Sequence, residues 1–326
     1  MMSDPVSAAH EVAASGRPRE AVALLESAGD GGNAAALAEL AVWHLRGIII
    51  PRDLGKARRT LRRAVTVGHV DAALMEIALA ANGSGGLPDW PQALGLLRIA
   101  AINDPVAAEH LALVDKMELD PAGYPAMRPA GEPLSDQPFV ELFPAALSPA
   151  ECLHVATLTH NWLEPAVVVD PRTGRNIAHP IRTSDSTLVG PTQETLVVAA
   201  LNRRLAALTR TRVEQGEPLS VLRYKPGQEY RLHLDALPGA NNQRIATAIA
   251  YLNDGFEGGE TYFSANRLKI QPRQGDVLVF RNVLADGTTD PESRHAGLSV
   301  RRGTKWIATR WIRQDAYDPW TYREGA

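Results

Sequence analysis

Cysteine is almost absent from this chain. Cys152 is the only one among 326 residues, so no disulfide can form within it, and an oxidising compartment is not indicated. Cys152 falls in the run 147–153, which reads as a helix start, and there it is better understood as a small buried apolar residue than as a nucleophile. Long apolar runs are missing too. None approaches the roughly 20 residues that a membrane-spanning helix needs. Residues 1–16 carry no basic stretch followed by an apolar run, so no secretory signal is expected. An excess of positive charge is likewise lacking: the formal net charge is -3, which gives no reason to expect nucleic acid or an acidic membrane as partner. Arginine pairs at 58–59, 62–63, 203–204 and 301–302 read as solvated helix faces or loops. A cytoplasmic protein is expected, long enough for two domains with separate cores.

What is present first is a period. Ala21, Ala57 and Ala93 lie 36 residues apart, as do Ala28, Ala64 and Ala100; Asp53 maps onto Asp89 and Leu61 onto Leu97 with the same step. Each unit reads as a helix pair, with one helix near 34–45 and the next near 54–67, punctuated by glycines such as Gly47, Gly68 and Gly83. Alanine at fixed positions lets neighbouring helices approach closely. The pattern resembles the Sel-like repeats, short relatives of the tetratricopeptide repeat, over roughly Ala8 to Met117. Such stacks often present a concave face to a peptide; the plainer reading is a short stack that only packs against the rest of the chain.

A stretch dense in Pro and Gly follows, so the expected division is helical repeats over 1–119, a linker over 120–137 and a second domain over 138–326. In the second domain 139–143 reads as a strand. Ser148 and Glu151 form a capping box for a helix near 149–163, and another helix is expected near 193–209. From 219 onward short strands dominate: 219–224, 230–235, 246–253, 261–263, 269–271, 276–280, 299–300 and 306–313. Many short strands separated by Gly and Pro point to a double-sheet jelly roll buttressed by the two helices. Residues 170–176 read as a mobile turn able to cover a site.

The chemistry gathers around 223–235. After the turn at Pro226-Gly227 the residues alternate, so His233 and Asp235 project from one strand face. His295, sixty residues on, is the third candidate ligand, and two His with one Asp leave open positions on a metal, as in non-haem Fe(II) oxygenases. Lys305, ten residues further, is placed to hold the far carboxylate of an acid chelating that metal. For His233 alone, a strand histidine satisfied by hydrogen bonds is the plainer reading, and for Asp235 a turn-initiating residue.

From Pro138 to Arg313 seven ordered blocks carry a resemblance: Arg182-Thr183-Ser184, Glu217-Pro218-Leu219, Arg223 to Asp235, Ala250 to Asn253, Gly258-Gly259-Glu260-Thr261, Gly275 to Phe280, and His295 to Trp311. The chain resembles the prolyl 4-hydroxylase family of Fe(II)/2-oxoglutarate dioxygenases. That resemblance implies a double-stranded β-helix (jelly-roll) fold, Fe(2+) held by His233, Asp235 and His295, and 2-oxoglutarate and O2 as cosubstrates, with ascorbate as reductant. It places Lys305 and Tyr224 on the far carboxylate of 2-oxoglutarate and Thr261 beside it. It places Arg182, Ser184, Glu217, Tyr230, Arg244 and Trp311 around a peptide substrate, though each of these also fits a structural ion pair or a core aromatic. His179, beside Arg182, reads as a loop residue without a role.

The activity expected is hydroxylation of a prolyl residue in a peptide or protein, with succinate and CO2 as coproducts and the helical repeats as a docking site for that substrate. Two alternatives stay open: the same oxygenase chemistry on a non-prolyl side chain, a free amino acid or a small metabolite, and a repeat-based scaffold whose barrel is inactive.

Overall fold

In the computed structural model of the chain, the described residues are 4–169, 176–178, 181–271 and 273–321. Seven helices come first: α1 (Pro5–Ala14), α2 (Pro18–Asp30), α3 (Ala34–Arg46), α4 (Leu54–Thr66), α5 (Val70–Asn82), α6 (Trp90–Ala100) and α7 (Pro105–Val114). The residues that recur in the sequence occupy equivalent structural positions. Asp53 and Asp89 each cap a helix, accepting from the backbone N–H of Lys56 and Gln92. Gly47 and Gly83 each end the preceding helix in the left-handed region, with φ of 67° and 80°. Ala21, Ala57 and Ala93 are fully buried where consecutive helices meet.

One expectation about charge fails here. Arg58 is not on a solvated face; it is buried and donates through Nε and Nη2 to Glu76, itself 1% exposed. Arg62 reaches the same carboxylate at 2.9 Å from the surface. Arg203 and Arg204 are buried as well, and Arg204 pairs with Glu151 at 2.9 Å. A guanidinium enters the interior when a carboxylate and backbone carbonyls satisfy its donors, as Glu151 and the Ala146 carbonyl do for Arg204.

The remainder contains β1 (Glu132–Asp136), β2 (Phe139–Phe143), α8 (Pro149–Thr159), β3 (Glu164–Pro165), β4 (Val167–Val169), β5 (Asn176–Ala178), β6 (Asp185–Val189) and α9 (Leu196–Thr209). Then come β7 (Leu219–Tyr224), β8 (Tyr230–His233), β9 (Arg244–Tyr251), β10 (Glu257–Gly258), β11 (Thr261–Phe263), β12 (Leu268–Ile270), β13 (Val277–Arg281), β14 (His295–Gly297), β15 (Val300–Arg302) and β16 (Lys305–Arg313). The capping box of Ser148 and Glu151 opens α8 as the sequence indicates. Residues 170–175 and His179 lie outside the described residues, so the expected turn and the loop reading of His179 carry no structural statement.

Among the described residues every strand pair is antiparallel. The eight-stranded sheet has the order β1-β2-β13-β9-β16-β7-β6-β3 and the four-stranded sheet β12-β11-β14-β8, while β10 with β15 and β4 with β5 form two-stranded ribbons. The stretch read as a linker over 120–137 ends in β1, an edge strand on β2. Pro133 is tolerated there because one side of an edge strand needs no ladder donor. A core built from Leu222, Tyr224, Ile249, Tyr251, Phe263, Leu278, Phe280 and Ile307 draws on both sheets. Cys152 on α8 is fully buried, its thiol beside the Tyr251 carbonyl, and burial pushes its pKa up to about 12, which removes it as a nucleophile.

Two compact units result: residues 1–123 together with 191–200, and residues 124–190 together with 201–326. The boundary runs through α9, whose first turns belong with the helical unit. Leu196, Val197, Ala199 and Ala200 share one apolar cluster with Ile77, Trp90 and Leu97. Among the described residues no helix is long and apolar enough to cross a membrane.

Candidate metal centre

Two strands deliver the three candidate ligands. His233 closes β8, Asp235 follows two residues later, and His295 opens β14 directly opposite His233 in the ladder. Antiparallel register thus joins residues 62 positions apart in sequence. The side chains are buried, and one ligand atom from each lies within 4.8 Å of the others. His233 Nε2 is 3.5 Å from Asp235 Oδ1, and His295 Nε2 is 3.8 Å from Asp235 Oδ2.

Hydrogen bonds fix which imidazole nitrogen faces inward. His233 Nδ1 is 2.8 Å from the Arg231 carbonyl, and His295 Nδ1 is 3.0 Å from the Ser293 carbonyl. A carbonyl oxygen only accepts, so each Nδ1 carries the proton and each Nε2 presents a lone pair. Burial pushes the His295 pKa down to about 4, with Asp235 opposing and His233 reinforcing that shift. Burial alone would raise the Asp235 pKa. The His295 and His233 imidazoles and the Thr247 hydroxyl outweigh it and hold the carboxyl well below the usual range. Two neutral imidazole lone pairs and a carboxylate are the donor set that suits a divalent metal such as Fe(II).

Tyr230 adds a wall. In a regular strand residues three apart point to opposite faces, but a bulge sets His233 and Tyr230 against His295 and Gly297, two apart. The extra residue brings Tyr230 onto His233, with ring centroids 3.5 Å apart and planes 12° from parallel. Phe263 and Phe280 pack around His295 at 5.5 and 4.6 Å.

The cavity that reaches these ligands runs along inward positions of β7, β9 and β16, and its walls include Tyr224, Thr261, Lys305, Ile307, Thr309 and Trp311. Lys305, Ile307, Thr309 and Trp311 alternate along β16, and all four face the cavity, as their shared parity requires. Lys305 is 3% exposed, and burial lowers its pKa to about 8, with Glu260 opposing the shift. An ammonium so placed favours an anionic partner. Its Nζ lies 5.7 and 5.6 Å from the ring centres of Tyr224 and Tyr251. The hydroxyls of Tyr251 and Thr261 are 2.7 Å apart. Burial raises the Tyr224 pKa, with Arg182 and Ser184 nearby opposing it.

The residues expected around a peptide divide into two groups. Tyr230 and Trp311 line the cavity, whereas Arg182, Ser184, Glu217 and Arg244 do not. Glu217 sits between two arginines, 2.6 Å from Arg244 Nε and 2.5 Å from Arg313 Nε. Arg244 also covers the Trp311 ring at 4.1 Å. Arg182 lies over the Tyr230 ring at 5.7 Å, and Ser184 is fully buried. The Trp311 indole N–H, by contrast, is buried with no hydrogen-bond partner among the described residues.

Two further polar residues touch the centre and were not singled out from sequence. Thr247 donates to Asp235 Oδ2 at 2.7 Å, and Asn282 donates to Thr247 at 2.9 Å. Thr247 could have been noticed as a polar side chain at an inward position of an otherwise apolar strand. Asn282, beyond the end of β13, carries no such signal.

Comparison with known proteins adds identity to this geometry. Residues 219–313 match the sequence profile of the 2OG-Fe(II) oxygenase superfamily. Prolyl 4-hydroxylase 1 of Arabidopsis thaliana is 34% identical over 189 residues, spanning 52% of this chain and 67% of that protein. Probable prolyl 4-hydroxylase 10 of the same plant is 33% identical over 210 residues, 57% of this chain and 72% of that protein. Among solved structures, the viral collagen prolyl hydroxylase of Paramecium Bursaria Chlorella virus-1 in its 2OG complex is 28% identical. That match covers 55% of this chain and 98% of the viral one, with a TM-score of 0.45.

Proposed function

The chain belongs to the prolyl 4-hydroxylase family of 2OG-Fe(II) oxygenases, and on that footing we propose that it hydroxylates a prolyl residue of a peptide or protein. The observation that carries this reading is the convergence of His233, Asp235 and His295 on one cavity that also receives Lys305. The chemistry supplied by bound Fe(II) is activation of O2, which couples oxidative decarboxylation of 2-oxoglutarate to substrate hydroxylation, giving succinate and CO2, with ascorbate as reductant.

The chain's own residues do the rest. The two Nε2 lone pairs and the Asp235 carboxylate would hold the metal. Lys305 neutralises the far carboxylate of 2-oxoglutarate, with the Tyr224 and Thr261 hydroxyls as hydrogen-bonding partners. The apolar walls at Leu222, Ile249 and Ile307 exclude water from the cosubstrate. Tyr230 and Trp311 would flank the substrate ring, with Arg182, Ser184, Glu217 and Arg244 behind them. The pairing of Glu217 with Arg244 supports a rigid frame for Trp311 rather than direct contact.

The two sheets, with β7, β9, β13 and β16 central in one and β8, β11 and β14 in the other, support the jelly-roll reading. The equivalent caps at Asp53 and Asp89 and the equivalent buried alanines support a helical domain over 1–119 made of Sel-like repeats, a kind of stack whose concave face often takes a peptide. The division into 1–119, 120–137 and 138–326 is part of this proposal.

The test is incubation of the purified chain with Fe(II), 2-oxoglutarate, ascorbate and proline-containing peptides. Succinate should form, and a peptide should gain the mass of one oxygen atom at proline. Hydroxylation of free proline with no peptide modified would defeat the peptide reading. No succinate from metal-loaded protein would defeat the enzyme.

A further inference from the structure

Asp235 has two carboxylate oxygens, and one of them is already engaged. Oδ2 lies 2.7 Å from the Thr247 hydroxyl, and the Thr247 oxygen lies 2.9 Å from Asn282 Nδ2. The direction of this chain follows from chemistry. An ionised carboxylate only accepts, so Thr247 must donate to it; with its proton spent there, Thr247 faces Asn282 as an acceptor, and Asn282 must present its amide N–H. The Asn282 carbonyl oxygen on the other side is buried with no partner among the described residues. The amide is thus held for its donor alone.

Both residues are fully buried and their backbones are fixed. Thr247 lies in β9 between β13 and β16, opposite Phe280 and Trp311. The Asn282 N–H donates to the Ile245 carbonyl, and its own carbonyl accepts from Asp290. A core site bordered by Ala246, Ala248 and Phe280 would take valine without the cost of burying a hydroxyl. The hydroxyl therefore calls for an account beyond packing.

We propose that Thr247 and Asn282 are positioning residues for the metal centre. Their one-way relay, from the Asn282 amide to the Thr247 hydroxyl to Asp235 Oδ2, occupies one lone pair of Oδ2 and fixes the rotation of the carboxylate, with Oδ1 3.5 Å from His233 Nε2. Held in one orientation, the carboxylate would supply a single oxygen beside the two imidazoles, and the remaining positions on the metal would stay open for ligands that arrive in turn. Freed of the relay, the carboxylate can rotate or bind through both oxygens and occupy one of them. The inference rests on the reading of His233, Asp235 and His295 as metal ligands, and its test keeps the two apart.

The experiment uses the full chain and Co(II) as a spectroscopic probe, without cosubstrate. Wild type, Thr247→Val, Thr247→Ser and Asn282→Ala are titrated with Co(II) while the visible absorption is followed, and unfolding of each metal-free protein is measured alongside. Thr247→Val keeps the shape and removes the hydroxyl. It should bind Co(II) about ten- to a hundredfold more weakly, the usual effect of losing a partner of a metal ligand, with an altered ligand-field spectrum. Thr247→Ser restores the hydroxyl and should restore both affinity and spectrum, and Asn282→Ala should fall between. Should Thr247→Val fail to fold, the Thr247→Ser and Asn282→Ala pair carries the same comparison. Wild-type affinity and spectrum in Thr247→Val or Asn282→Ala, whatever their stability, would overturn the relay. Failure of the wild type itself to bind Co(II) would overturn the metal centre beneath it.

Discussion

The Lys305 ammonium donates to the Gly259 carbonyl at 2.6 Å, and it is the absence of a side chain at Gly259 that permits this approach. Gly259 has φ of +68°, and a Cβ there would meet Lys305 Cδ and Val300 Cγ2 at 3.1 Å and Phe256 at 3.2 Å. Gly259→Ala should therefore displace Lys305 with the metal ligands left in place. The expected outcome is weaker 2-oxoglutarate binding by isothermal titration, with Co(II) affinity unchanged. Equal loss of both would assign Gly259 to general folding instead.

Lys305 also sets a pH limit. Its pKa is lowered to about 8 by burial, so the ammonium that an anionic cosubstrate needs is present below that pH and fades above it. Affinity for 2-oxoglutarate should be flat near pH 7 and fall by up to tenfold per unit above about 8. Lys305→Arg, whose guanidinium stays charged, should flatten the profile even if its affinity is lower. A wild-type affinity that is constant to pH 9.5 would count against Lys305 as the carboxylate's partner.

His295 makes the opposite prediction at the acid end. Its folded pKa of about 4 lies below the ordinary 6.5, so between these values the unfolded chain binds more protons than the folded one. Stability of the metal-free protein should therefore decline as pH falls from 6.5 toward 4. Denaturant titrations at pH 7, 5.5 and 4.5 should show this slope reduced in His295→Gln. An equal slope in both proteins would place the proton uptake elsewhere.

Glu217 is 9% exposed at its side chain and serves both Arg244 and Arg313, which are 14% and 3% exposed. Glu217→Ala leaves two buried guanidinium groups without their carboxylate, a loss on the order of 3–5 kcal/mol. Chemical denaturation should show this drop, and Trp311 fluorescence should change because Arg244 no longer stacks on its ring. A stability within 1 kcal/mol of wild type, by the same order-of-magnitude rule, would mean that water replaces the carboxylate.

Removal of residues 1–123 tests what the helical unit does for folding. Leu196, Val197, Ala199 and Ala200 are at most 1% exposed, and they are buried among side chains of α5 and α6. The truncated chain should aggregate or melt early. Replacement of Leu196 and Val197 by polar residues should restore solubility. A truncated protein with wild-type melting behaviour would show that α9 needs no such cover.

Much of the catalytic half could be read from residue order. Alternation gave His233 and Asp235 a common face and gave Lys305, Ile307, Thr309 and Trp311 another, because side-chain direction in a strand depends only on parity. Helix signals were equally local: Ser148 with Glu151 opened α8, and the spaced aspartates opened α4 and α6. Harder to see were features decided by distant partners. Arg58 and Arg203 looked like surface residues, yet they are buried. The strand β1 hid in a Pro-rich stretch because only its pairing with β2 makes it a strand. The bulge in β8 that lays Tyr230 on His233 depends on register with β14.

By itself, the order of residues determined which groups could act as ligands, cation and caps, since those depend on chemistry and on neighbours a few positions away. Folding in three dimensions decided which of them meet. Pairing of β8 with β14 placed His295 against His233, and Thr247 of β9 and Asn282 beyond β13 were carried to Asp235 from positions 12 and 47 residues away. No local rule encodes such encounters, because they are set by strand register and by packing across the two sheets.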